Sequence, residues 1–119
     1  MNKLRNKVQL IGNLGTDPEV KHLESGKTVA TFRLATTERY RKDSGDLVED
    51  TQWHNIVAWG KRAEIVEQYL QKGKEVAVEG KLIHRSYDDK NGDKKYITEI
   101  IMDDMVMLGK KPQEAATKA

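Results

Sequence analysis

Apolar and polar residues alternate along most of this 119-residue chain, the period-two signature of half-buried β-strands. In "NKVQLIGNL", Val8, Leu10 and Leu14 fall on one side of an extended chain and Ile11 on the other. "GTDP" turns the chain, and a short extended piece, "EVKHL", runs into "ESGK", a tight turn around Gly26. "TVATFRLATT" follows as a long strand with Ala30, Phe32 and Leu34 on one face. Residues 38–50, "ERYRKDSGDLVED", are polar and contain a glycine, which predicts a projecting loop or loose hairpin. "TQWHNIVAW" is the next strand. Its Trp53, Asn55, Val57 and Trp59 point one way, and His54, Ile56 and Ala58 the other.

The period then changes. In "KRAEIVEQYLQK", residues 61–72, Ala63, Val66, Tyr69 and Leu70 recur at helical spacing. Gly60 serves as N-cap and Gly73 ends the helix. "EVAVEGKLIHRSY" reads as a strand whose Val76, Val78, Gly80 and Leu82 face an interior. "DDKNGDK" is a hairpin turn with an Asn-Gly signal, and "KYITEIIM" is the last strand. Three strands, one helix and two strands make an all-β fold with one helix, a five-stranded OB-fold Greek-key barrel with the helix between strands 3 and 4. An immunoglobulin-like sandwich would need about seven strands. Residues 1–108 form this one domain, and residues 109–119, "GKKPQEAATKA", read as a short disordered C-terminal tail.

Composition narrows the class. With 37% hydrophobic and 34% charged residues and no membrane-length apolar run, the chain reads as a soluble globular domain without a signal peptide. The absence of cysteine excludes a disulfide scaffold and thiolate-bound zinc and fits a cytoplasmic protein. The formal charge is +2, but residues 1–108 hold eighteen Lys and Arg against eighteen Asp and Glu. Overall charge therefore does not announce a nucleic-acid binder, and local placement has to carry any such function.

Several fragments fail as motifs. "ESGKT" resembles the end of a phosphate-binding loop, but Lys21 stands where that loop needs a glycine. "GNLG" lacks the third glycine of a dinucleotide fingerprint, and Asp17-Pro18 follows where a helix should begin. His22, His54 and His84 share no ligand spacing, so no metal or cofactor is expected. Opposite the tryptophans, His54 reads as a satisfied buried or interface histidine. Asp88-Asp89 and Asp103-Asp104 are adjacent pairs that point to opposite faces of an extended chain. No nucleophile and base pair up, so the chain is not read as an enzyme.

The aromatics carry more. Phe32 belongs to the core, and Tyr69 to the helix stripe as packing. Most tryptophans lie in cores, yet Ile56 and Ala58 also need burial, and one barrel strand cannot turn both faces inward. Something must cover the other face, either a ligand or a second subunit. On the outward parity of the fourth strand, Tyr87 lies with Lys81 and Arg85, and Tyr40 stands in "ERYRK" between Arg39 and Arg41. Rings for bases and cations for phosphates are what a single-strand binder needs. Trp53 and Trp59, six residues apart, would be separated by roughly 20 Å along a strand, enough to serve different bases.

In order and spacing, "NKVQLIGNLGTDPEV", "VATFRLATTERYR", "TQWHNIVAWGKRAEIVEQYLQKGKEVAVEGKL" and "YITEI" resemble the bacterial single-stranded DNA-binding protein family over about residues 3–108. The resemblance implies an OB-fold that assembles as a homotetramer and coats single-stranded DNA in replication, recombination and repair at the cytoplasmic nucleoid. It implies no catalysis and no cofactor. It assigns base stacking to Tyr40, Trp53, Trp59 and Tyr87, and leaves Arg33, Arg39, Arg41, Lys61, Arg62, Lys81 and Arg85 as the phosphate contacts. Tyr40 and Tyr87 stand where the family often has Trp, and Trp59 where Phe is common, exchanges among stacking residues. His54 matches a position the family uses near subunit contacts. The family typically continues into a Gly-, Pro- or Gln-rich linker and an acidic tip that recruits replication and repair proteins. Here the sequence ends at "PQEAATKA", short and slightly basic, without that tip.

Two other classes compete. An assembly module would use the second apolar face as a subunit interface, and a cold-shock-like or tRNA-binding OB domain would prefer RNA to DNA.

Overall fold

The computed structural model describes residues 3–109. After a 3-10 turn at Lys3–Arg5 come β1 (Val8–Leu14), β2 (Glu19–His22), β3 (Thr28–Arg41), β4 (Leu47–Trp59), α1 (Lys61–Tyr69), β5 (Glu75–Asp88) and β6 (Lys94–Met107). The strands form one sheet in the order β1-β5-β6-β4-β3-β2, and pairing of Asn13 and Leu14 with Ala35 and Leu34 joins β1 to β3 and closes the wall. Five strands make the barrel. The short extended piece predicted at "EVKHL" is β2, which shares with β1 the edge of β3 that faces away from β4. A parallel stretch between Asn55–Val57 of β4 and Glu99–Ile101 of β6 completes the OB-fold topology, with α1 between the third and fourth barrel strands.

The predicted inward residues line the core: Leu14, Ala30, Phe32, Leu34, Ile56, Ala58, Val76 and Val78 are buried together with Ile100 and Met102. Each large aliphatic among them contributes on the order of 1.5–3 kcal/mol over an exposed position. Closure also needs a gap in side chains. A Cβ on Gly12 would lie 2.1 Å from the Ala35 carbonyl oxygen, so β1 can approach β3 only through glycine.

Residues 38–50 are more regular than a loop. β3 and β4 continue as paired strands from Glu38↔Asp50 to Arg41↔Leu47 and project as a hairpin. Three hairpins end in the same way. In the loops bounded by Leu23 and Lys27, Lys42 and Asp46, and Asp89 and Asp93, the first amide donates to the last carbonyl and the glycine amide donates back to the first carbonyl. Three residues intervene each time, and the last, Gly26, Gly45 or Gly92, has φ near +90°. "NG" in "DDKNGDK" is therefore the end of a three-residue loop and not a two-residue turn, with the Asp89 carboxylate accepting from the amides of Asn91 and Asp93.

The helix is shorter than its pattern predicts. It stops at Tyr69, and Leu70 turns extended while its amide still donates to the Val66 carbonyl. Gly73 lies in the turn that follows, and its amide donates to the Leu14 carbonyl. Only Ala63, Val66 and Leu70 reach the barrel, leaving Tyr69 about half exposed instead of packed. The tail reading falls on residues 110–119, outside the described residues.

Candidate nucleic-acid interface

Strand register builds one continuous outer face. β4 presents Trp53, Asn55, Val57 and Trp59, opposite Ala35, Arg33, Thr31 and Val29 of β3. On its other side Asn55 and Val57 face Glu99 and Ile101 of β6, and β6 in turn sets Ile97 beside Arg85 and Lys95 beside Tyr87 of β5. The two tryptophans are outside because Ile56 and Ala58, on the opposite parity, are completely buried. Trp53 is 49% and Trp59 42% exposed. Between them Val57 is covered by its neighbours, so the strand has an apolar outer floor with a large ring at each end.

Tyr87 is 47% exposed and shares this face, since Tyr87, Arg85 and Ile83 alternate outward on β5. Tyr40, at 51%, has the opposite parity. It lies across from Val48 on the reverse of the projecting hairpin, the side continuous with the barrel interior. Tyr96, across from Ser86, stands likewise on the reverse of the β5–β6 hairpin and is the most exposed aromatic described, at 78%. The four assigned rings are thus three on one face and one around the hairpin edge.

The seven cations differ in what already holds them. The Arg33 guanidinium lies 4.8 Å from the Trp53 ring centroid. Arg39 pairs with Glu49 across the hairpin at 2.8 Å, a solvated pair of small energetic worth. Arg41 donates from Nη1 to the Gly45 carbonyl, bracing the hairpin tip, and Arg62 donates from Nε to the Asp103 carbonyl. Arg85 is held most firmly: its Nε and Nη2 donate to the two carboxylate oxygens of Glu99 at 2.9 and 3.1 Å. The Glu99 side chain keeps this guanidinium's pKa raised. Lys61 and Lys81 are exposed and have no side-chain partner among the described residues. Lys61 and Arg62 occupy the first helical turn, where cations oppose the helix dipole, the kind of local cost that functional surfaces tolerate.

Beside residues 55–57 of β4 lies a groove of about 450 Å³, lined by Thr31, Arg33, Asn55, Ile97 and Glu99 and walled by Asp17 and Glu19. Glu99, only 8% exposed, is the one buried acid described. Sequence reading missed it, because its outward parity among Ile97 and Ile101 suggested nothing without Arg85, which lies diagonally across on β5, Ile83 being directly opposite. Gly15 was also missed. A Cβ there would fall 2.1 Å from Trp53 Cζ3. On the inner parity, His54 Nε2 shares a 2.9 Å hydrogen bond with the Thr36 hydroxyl, and partial burial lowers its pKa, so it is a satisfied histidine. No three His, Asp or Glu side chains gather as metal ligands among the described residues.

A barrel of this topology, with half-exposed rings on an outer sheet face and cations around them, is a single-strand nucleic-acid-binding OB-fold in design. The chain belongs to the single-strand binding protein family, whose sequence profile matches residues 5–108. It is 56% identical over 113 residues to the single-stranded DNA-binding protein 1 of Chlorobaculum tepidum, covering 94% of this chain and 70% of that one. To the single-stranded DNA-binding protein of Bacteroides thetaiotaomicron it is 50% identical, over 96% of this chain and 77% of the relative. Among solved structures, the Plasmodium falciparum SSB complex with ssDNA superposes with a TM-score of 0.80 at 39% identity, covering 87% of this chain and 95% of the other.

Proposed function

We propose that this protein binds single-stranded DNA without sequence preference, coating and protecting it in replication, recombination and repair at the bacterial nucleoid. The observation that carries the reading is the pair of half-exposed tryptophans on one outward face, above a fully buried Ile56 and Ala58. Bases stack on Trp53, Trp59 and Tyr87, and the strand continues around the hairpin edge to Tyr40. Every base has a π-face, so stacking tolerates sequence. Phosphates are met chiefly by Lys61 and Lys81, whose ammonium groups are uncommitted among the described residues. Arg33, Arg39, Arg41 and Arg62 add to this from more constrained positions, and Arg85 is a weaker phosphate contact because Glu99 already holds both arms of its fork. The role is binding, not catalysis.

Substitution of both Trp53 and Trp59 by Ala tests the reading. Both rings are half exposed, so the fold should survive. Affinity for oligo-dT should drop by about 1–3 kcal/mol for each base that loses its platform. Undiminished binding by a folded double variant would refute it.

Assembly as a homotetramer is part of the same proposal. Its support is the outward row Ile11, Ala77 and Val106 on three adjacent strands, together with the second edge of β1 over residues 8–11, which pairs with no strand among the described residues. Exposed edges with outward apolar residues invite another chain. Sedimentation equilibrium should return about four times 13.6 kDa. A monomer at micromolar concentration would remove this part.

A further inference from the structure

We propose that Gly15 and Arg33 are positioning residues that hold the Trp53 indole in one pose before a base arrives; the inference rests on Trp53 being a DNA contact. Gly15 follows β1, and its amide donates to the Arg33 carbonyl at 2.9 Å, which pins it beside the residue whose guanidinium covers the indole. Its φ lies outside the left-handed region, so conformational freedom does not explain a glycine here. Space does. A Cβ would sit 2.1 Å from Cζ3 and 2.7 Å from Cη2 of Trp53, well inside contact distance, so even alanine must push the ring aside.

The other side of the arrangement is Arg33. A guanidinium carbon 4.8 Å from the ring centroid is within cation–π range. Trp53 is the one ring among the described residues with a cation over it. Directly across β3 stands Ala35, too small to restrain an indole. The β1–β2 loop and the Arg33 side chain therefore supply the restraint, and a ring already ordered loses less freedom when a base stacks on it. This also gives "GNLG" a purpose. Gly12 admits β3, and Gly15 admits the Trp53 ring.

The test is a double-mutant cycle read by fluorescence anisotropy of labelled oligo-dT at fixed salt, with thermal melts on every variant. Gly15→Ala should weaken binding, up to the roughly 5- to 150-fold that loss of a whole stacking platform costs. In the Trp53→Ala background the same substitution should change nothing, because there is no ring to displace. In a Trp59→Phe background, where Trp53 is the sole tryptophan, Gly15→Ala should shift the emission maximum of the DNA-free protein. Arg33→Lys keeps the charge but not the flat stack, and it should weaken binding with the salt dependence unchanged. Wild-type affinity in folded Gly15→Ala, or equal loss in both backgrounds, would overturn the proposal. If Gly15→Ala alone lowers the melting temperature, Trp53→Ala should restore it; failure to restore it would also overturn the proposal. Trp53→Ala that binds like wild type would overturn both the inference and the reading of the face beneath it.

Discussion

Arg85 and Glu99 illustrate how a single pairing changes what a residue can do. From sequence, Arg85 looks like a free phosphate contact, outward next to Tyr87. In the fold both arms of its fork are spent on a carboxylate that the sheet has almost enclosed. Removing Arg85 leaves that carboxylate without its counter-charge, and an unsatisfied buried group costs about 1–3 kcal/mol. Arg85→Ala should thus lower stability by chemical denaturation, an effect moderated because Arg85 itself is half in solvent. Unchanged stability with a flatter salt dependence would mean that Arg85 is a free cation after all. What was legible at this scale followed from burial demand: Ile56 and Ala58 had to be inside, so Trp53 and Trp59 had to be outside. The Glu99 pairing was not legible, because it depends on which residue of β5 lies in reach of β6, and that is fixed by a bulge at Glu79/Gly80 and a hairpin register. Tyr69 was misread for a related reason. Helical spacing defines a stripe, but only the barrel decides how wide a stripe it covers.

At the level of elements, every strand and the helix were readable, since alternation and helical period report directly on burial. Their ends were not. The β3–β4 hairpin is made of polar residues paired beyond the barrel rim, where neither face is buried, and alternation therefore carries no signal. The Asn-Gly signal placed the turn correctly but did not give its length, which the Asp89 side chain helps to set by holding a three-residue loop. The free edge of β1 is an element-scale feature with its own consequence. Ile11 is 54% exposed beside that edge and in register with Ala77. Ile11→Glu should break the proposed tetramer into smaller species in sedimentation while each barrel stays folded. An unchanged mass would locate the assembly contact elsewhere.

For the whole molecule, the balance of charge in residues 1–108 matters most. A binder with no surplus charge cannot rely on long-range attraction, and the groove beside residues 55–57 of β4 is itself bordered by Asp17, Glu19 and Glu99. Stacking must then supply most of the affinity, with a modest salt dependence from a few local cations. Each phosphate neutralised contributes a slope of about −0.7 on a single strand, so Lys61→Gln and Lys81→Gln should each flatten the slope by about that much. The most direct measurement is a titration of the intrinsic tryptophan fluorescence with poly(dT), at low and at high salt. Both tryptophans of the chain lie on the face in question, so the signal has no other source. Stacking of bases on these rings predicts strong quenching that persists at high salt. Fluorescence that does not move, or quenching abolished by moderate salt, would contradict it.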